Sequence, residues 1–195
     1  MNKKISIIIP TYNEQESLPF LHEKLNEIMG QMPKYDFEIL FVNDGSKDKS
    51  LEIIKKFREE DGRYNYIDFS RNFGQEIAMA AGLDYVTGDC AIFMDADLQD
   101  PPELIPELVK HWEEGYDDIY AKRRTRGEES WLRRQFSLAF YGILQRMSRI
   151  DILPNVGDFR LLDRRCVLTL RRLRECERYT KGLFCWIGYQ KKSIE

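Results

Sequence analysis

Along the first 120 residues, short runs of β-branched and aromatic residues alternate with longer stretches whose apolar positions recur every three or four residues. The short runs at 5–9, 37–42, 64–69, 90–94 and 118–121 predict strands, and the stretches near 15–30, 47–60, 75–86 and 102–114 predict helices. Strand followed by helix, repeated in this way, predicts an α/β domain with a mostly parallel, Rossmann-like sheet flanked by helices. Polar turns follow the strands: Thr11-Tyr12-Asn13-Glu14, Asn43-Asp44-Gly45-Ser46, Ser70-Arg71-Asn72 and Asp95-Ala96-Asp97. Ligands of open α/β sheets bind beyond the carboxyl ends of the strands, so the four turns are expected to converge on one site.

After Ala121 the rhythm changes. A basic, Gly-containing stretch leads into residues 129–150, where Leu132, Phe136, Ala139, Phe140, Ile143, Met147 and Ile150 recur at helical spacing. This predicts an amphipathic helix. Its apolar face can pack on the domain's own core or lie on a membrane surface with Arg133, Arg134, Arg146 and Arg149 towards lipid phosphates, and the pattern is the same for both. No repeat, low-complexity tract or linker divides the chain, so a single domain is expected over 1–195, with halves at 1–120 and 121–195.

Charge sharpens the division between the halves. Up to Tyr120 the chain carries 12 basic and 25 acidic residues, and beyond it 18 and 8, giving −13 and +10 around a net charge of −3. A basic half suits an anionic partner or a solvated face. The four cysteines, Cys90, Cys166, Cys176 and Cys185, form no C-x-x-C pair and read as reduced cytosolic thiols. The apolar run at 5–9 is too short for an export signal, and no run approaches the roughly 20 residues that span a bilayer, so a soluble chain is expected.

The chemistry concentrates at Met94-Asp95-Ala96-Asp97-Leu98-Gln99-Asp100, ahead of Pro101-Pro102. Two carboxylates one residue apart at a strand end can share a hard divalent cation, and oxygen ligands with water sites suit Mg²⁺ or Mn²⁺. The same acidic turn could instead cap the helix at Pro102. Its context decides: Ile-Ile-Pro-Thr-Tyr-Asn-Glu (8–14), Val-Asn-Asp-Gly-Ser (42–46), Ser-Arg-Asn-Phe-Gly (70–74), Asp-Ala-Asp-Leu-Gln-Asp-Pro-Pro-Glu (95–103) and Gly-Asp-Phe-Arg-Leu (157–161) occur in this order. With these motifs the sequence resembles family 2 glycosyltransferases of the GT-A fold. It is most similar to the polyprenyl-phosphate branch, which holds dolichol-phosphate mannose synthases and bacterial undecaprenyl-phosphate glycosyltransferases.

The resemblance implies an inverting, metal-dependent hexosyltransferase that moves a sugar from a UDP-sugar to undecaprenyl or another polyprenyl phosphate, with glucose ahead of N-acetylglucosamine. It implies nucleotide-sugar contacts from Pro10, Thr11, Tyr12, Glu14, Asp44, Gly45, Arg71, Asp95 and Ala96, and metal ligation by Asp95, Asp97 and Gln99. Asp97 and Asp158 take the catalytic positions, and Arg123, Arg133 or Arg134, Ser137 and Arg160 fall where an acceptor phosphate would be gathered. Each has a plainer reading too: Asp-Gly-Ser is a common turn, Arg71 can be a surface arginine, and Asp158 can pair with a neighbouring arginine such as Arg160. A phosphomonoester is mostly anionic at neutral pH, so Asp158 could orient the acceptor rather than deprotonate it.

The partners so implied are the donor, the lipid phosphate and the cytoplasmic face of a membrane, without nucleic acid. Members of this branch usually continue into transmembrane helices through which a homo-oligomer could form, whereas this chain stops just after a strand-like run at 186–190. A saccharide- or protein-directed transferase and an inactive binding module are the competing readings, and Asp95 with Asp97 argues against inactivity. Two further classes are disfavoured. Trp112, Trp131 and Trp186 follow His, Ser and Cys, so there is no Q-x-x-R-W of a processive synthase, and no G-x-G-x-x-G follows the first strand.

Overall fold

The computed structural model describes residues 2–122, 156–173 and 179–194. The predicted helix at 129–150 lies outside them. Seven strands form one sheet: β1 (Lys3–Thr11), β2 (Tyr35–Asn43), β3 (Tyr64–Asp68), β4 (Cys90–Phe93), β5 (Asp118–Lys122), β6 (Val156–Asp163) and β7 (Lys191–Ile194), in the order β3-β2-β1-β4-β6-β5-β7. The helices among the described residues are α1 (Leu18–Gln31), α2 (Ser50–Glu60), α3 (Gln75–Tyr85), α4 (Ile105–Glu113), α5 (Arg164–Arg172) and α6 (Thr180–Trp186).

Alternation along the strands assigns the helices to faces. Ile5, Ile7 and Ile9 of β1 join Leu21 and Leu25 of α1, Ile54 of α2 and Leu108 of α4 in one core, while Ile8 joins Ala78 and Leu83 of α3, Val167 of α5 and Phe184 of α6 in the other. All four isoleucines are fully buried, as expected for a central strand covered on both faces. Helix α3 lies close on β1: a Cβ at Gly82 would fall 2.3 Å from Ile8 Cγ2. That contact matters because the first residues of α3 enter the functional cleft. No helix among the described residues is long and apolar enough to cross a membrane.

The five predicted strands and four predicted helices are all present, but two helices start a turn later than the periodicity suggests. The segments before α1 and α2 bond to each other instead of continuing the helices. Glu14 and Gln15 donate their amides to Ser50 Oγ (2.8 Å) and Asp48 Oδ2 (3.1 Å), and Lys47 donates its amide to Asn13 Oδ1 (2.8 Å). Pro102 likewise opens a single 3-10 turn, Pro102–Leu104, before α4 begins at Ile105.

The C-terminal expectation is corrected. Residues 186–190 form no strand; α6 runs to Trp186, burying Phe184 against Phe93 at 5.8 Å between rings, and β7 begins at Lys191, parallel to β5. The sheet also holds a reversed strand. β6 is antiparallel to both β4 and β5, with Cys90 opposite Asp163 and Phe93 opposite Arg160. Reversal brings the start of β6 to the edge where β1, β2 and β4 end.

Candidate active site

At that edge lies a cleft of about 300 Å³. The end of β1 contributes Pro10, Thr11, Tyr12 and Glu14, the end of β2 contributes Asp44, the turn before α3 contributes Asn72 and Gly74, the first turn of α3 contributes Gln75 and Ala78, and the turn after β4 contributes Asp95, Ala96 and Asp97. Most of the predicted nucleotide-sugar residues therefore share one cavity, as the position of the four turns required.

Asp44 and Gly45 shape the cleft wall. Asp44 is buried, and its carboxylate accepts the amides of Phe73 at 2.6 Å and Gly74 at 2.8 Å. Gly45 has φ +67°, and a Cβ there would come within 2.5 Å of the Arg71 carbonyl carbon. Gly45 thus lets the chain pack directly against the backbone of the 71–74 turn. Gly74, at φ +96°, then opens α3, a conformation that L side chains rarely adopt.

Arg71 departs from its expected place. It is exposed, does not line the cleft, and lays its guanidinium over the Phe73 ring at 4.0 Å while donating to Asn72 O at 3.1 Å. Stacking of this kind is a favourable setting for an exposed guanidinium.

The acidic turn does not cap a helix: the 3-10 turn after Pro101 has no side-chain cap. It closes on itself. Buried Asp100 accepts the Asp95 amide at 3.3 Å, Asp97 Oδ1 accepts the Gln99 amide at 3.0 Å, and Leu98 between them takes φ +62°. A left-handed leucine costs about 1–2 kcal/mol, so the bonds around it hold a strained turn in shape. Gln75 Nε2 donates to Asp95 Oδ1 at 2.9 Å from across the cleft.

This donor set fits a hard divalent cation. Asp95 and Asp97 line the cleft, which has neither thiol nor imidazole in its wall, and two carboxylates leave coordination positions for water and substrate oxygens. Among the described residues no group of three or more His, Cys, Asp or Glu is arranged to hold a metal ion. Gln99, expected as a ligand, is exposed and does not line the cleft.

Asp158 comes from the reversed strand. Following the β4–β6 register two residues past Phe93 and Arg160 carries Asp158 level with Asp95. Its carboxylate pairs with Lys181 of α6 at 3.3 Å, not with Arg160, and its Oδ1 is buried without a hydrogen-bond partner among the described residues.

Arg160 requires correction. Expected at an acceptor phosphate, its side chain is only 3% exposed, bonds Asp118 at 3.3 Å and lies on the Phe184 ring at 3.9 Å. Burial pushes the Asp118 carboxyl up from the usual range, opposed by the charges of Arg160 and of Lys191, 3.6 Å away. Arg160→Met should therefore lower stability by about 3 kcal/mol, read from a urea titration, because it strips a buried carboxylate of its main counterion. The other expected acceptor residues, Arg123, Arg133, Arg134 and Ser137, lie outside the described residues.

Two polar side chains of the cleft escaped the sequence reading. Asn72 sat inside a quoted motif, but nothing local distinguished its side chain from a turn asparagine. Gln75 follows the glycine that opens α3, and only the fold brings its amide to Asp95.

With the geometry established, comparison with known proteins identifies the family. The profile of Glycosyl transferase family 2 matches residues 6–170. The chain belongs to that family. An uncharacterized glycosyltransferase of Synechocystis is 47% identical over 194 residues, covering 100% of this chain and 61% of its own length. A bactoprenol glucosyl transferase of Shigella phage SfX is 41% identical over 192 residues, covering 98% and 63%. The chain thus spans about three-fifths of these curated relatives. Among solved structures, a mannosyltransferase of Pyrobaculum calidifontis in complex with GDP-mannose and Mn²⁺ superposes with a TM-score of 0.64 at 18% identity, covering 100% of this chain and 55% of its own. This likeness, far below the identity at which ligands transfer, establishes a GT-A fold for the family 2 chain.

Proposed function

We propose that this chain carries the catalytic site of an inverting glycosyltransferase that moves glucose from UDP-glucose to a polyprenyl phosphate at the cytoplasmic face of a membrane. The observation that carries the reading is the cleft at the carboxyl ends of β1, β2 and β4, where Asp95 and Asp97 face Thr11, Glu14 and Asp44. The choice of glucose and of a polyprenyl phosphate draws on the relative named bactoprenol glucosyl transferase.

The residues divide the work by their chemistry. Tyr12 offers an exposed ring face, and Thr11 and Glu14 offer oxygens to ribose hydroxyls, while Asp44 and Gly45 hold the 71–74 turn against the donor. Gln75 fixes the rotamer of Asp95. Asp95 and Asp97 would hold Mg²⁺ or Mn²⁺, whose charge stabilises the diphosphate as the anomeric C–O bond breaks. The acceptor phosphate is already an anion at neutral pH, so the site needs to aim it rather than deprotonate it, and Asp158 serves as an orienting group. Attack on the face opposite the diphosphate inverts the anomeric centre.

The test is UDP release from UDP-glucose with farnesyl phosphate as a short acceptor. Release is expected to need Mg²⁺ or Mn²⁺, to stop on chelation with EDTA and to rise when the acceptor is added. Release stimulated by a free saccharide and indifferent to farnesyl phosphate would reject the lipid acceptor in favour of a saccharide-directed transferase.

A further inference from the structure

Three charged side chains connect the donor side of the cleft to the reversed strand. Glu76, in the first turn of α3 directly after Gln75, accepts the Thr180 amide at 2.9 Å and the Thr180 hydroxyl. Thr180 is buried and begins α6. The next residue, Lys181, reaches back to Asp158 at 3.3 Å, and its side chain is 38% exposed. A contact between residues 104 positions apart thus sets where one ammonium group stands, beside the carboxylate of Asp158.

The electrostatics of the reaction make that ammonium useful. A phosphomonoester brings close to two negative charges towards a cleft that already holds Asp95, Asp97 and a donor diphosphate. Such an approach is unfavourable unless a cation meets it. Two other described cations are committed elsewhere: Arg160 is buried on Asp118, and Arg71 stacks on the Phe73 ring. Lys181 is partly exposed, anchored on one side by a carboxylate, and carries three donors on a flexible stem.

We propose that Lys181 binds the acceptor phosphate, oriented by Asp158, and that Glu76 is a positioning residue which couples it to the donor-side helix. The inference rests on the transferase reading above and assigns a phosphate ligand to α6. Asp158 then limits how far the ammonium swings. No proton transfer is required of either group.

The test separates the two halves of the reaction. UDP-glucose hydrolysis without lipid reads the donor site alone, and transfer to farnesyl phosphate reads both. If the functional reading is wrong, the unaltered chain shows no metal-dependent turnover; if only the present inference is wrong, the failure appears in the variants. Lys181→Met is expected to raise KM for farnesyl phosphate by about tenfold to a hundredfold, the loss of a charged hydrogen bond, while hydrolysis stays within about twofold. Lys181→Arg should recover most of the loss. Glu76→Ala should move KM for farnesyl phosphate in the same direction, and the double variant Glu76→Ala/Lys181→Met should be little worse than Lys181→Met alone. An unchanged acceptor KM in Lys181→Met, or hydrolysis falling in step with transfer, would overturn the assignment. Additive effects of the two substitutions would overturn the coupling.

Discussion

Asp97→Asn is expected to lower glucose transfer by about two to three orders of magnitude while leaving the melting temperature within a degree or so of the parent. The two halves of this expectation have separate causes. Asp97 is exposed, and its Oδ1 accepts the Gln99 amide, a bond that an asparagine carbonyl oxygen can accept equally well. The turn should therefore keep its shape. On the proposed function, what disappears is a formal charge that would stand beside the departing diphosphate and grip a divalent cation. UDP release measured across a Mn²⁺ titration, with differential scanning fluorimetry alongside, checks both. Near-parental rates at saturating metal would remove Asp97 from the catalytic machinery. A large fall in melting temperature would instead mark it as a structural residue of the strained turn around Leu98.

How much of this was legible beforehand varies with the range of the interactions. The strands and helices up to residue 122 follow from local periodicity, because a central strand such as β1 needs apolar residues on both faces and writes them in sequence. The convergence of Thr11, Glu14, Asp44 and Asp97 was legible as well, since parallel strands end on one edge whatever their order. Interlocked loops were not. The late starts of α1 and α2 come from bonds between residues some 33 positions apart, which no window of one helix contains. The same limit explains Arg160. As a basic residue in a motif it resembled a phosphate ligand, and only pairing β6 between β4 and β5 turns it towards Asp118, 42 positions away. Lys181 carried no signal, because its partner Asp158 lies on another element and Glu76, which holds the neighbouring Thr180, lies in the opposite half of the chain. Single-residue roles were readable where the backbone itself creates them, as at the ends of strands, and unreadable where two distant side chains meet.

Gly45→Ala is the second large effect, and it tests whether the cleft wall is as important as its contents. Alanine at φ +67° costs about 1–2 kcal/mol in backbone conformation alone. Its Cβ would also stand 2.5 Å from the Arg71 carbonyl carbon and 2.7 Å from the Asn72 amide nitrogen, both backbone atoms without a rotamer to yield. The 71–74 turn must therefore move outward. Asp44 holds that turn through the Phe73 and Gly74 amides at 2.6 and 2.8 Å, so displacement stretches two charge-assisted bonds and shifts Asn72, Gly74 and Gln75 at the cleft. Gln75 in turn holds Asp95. Together these predict a loss of about 3 kcal/mol or more in stability and a rise of at least about tenfold in KM for UDP-glucose, measured by urea unfolding and by UDP release. Ser46→Ala, one residue on, is the control: it removes a hydroxyl that accepts the Asn13 amide at 3.0 Å without creating a collision, and its cost should stay near about 1 kcal/mol. A Gly45→Ala chain with parental stability and donor KM would mean that the turn has room to retreat, and that Asp44 does not fix the wall on which the donor rests.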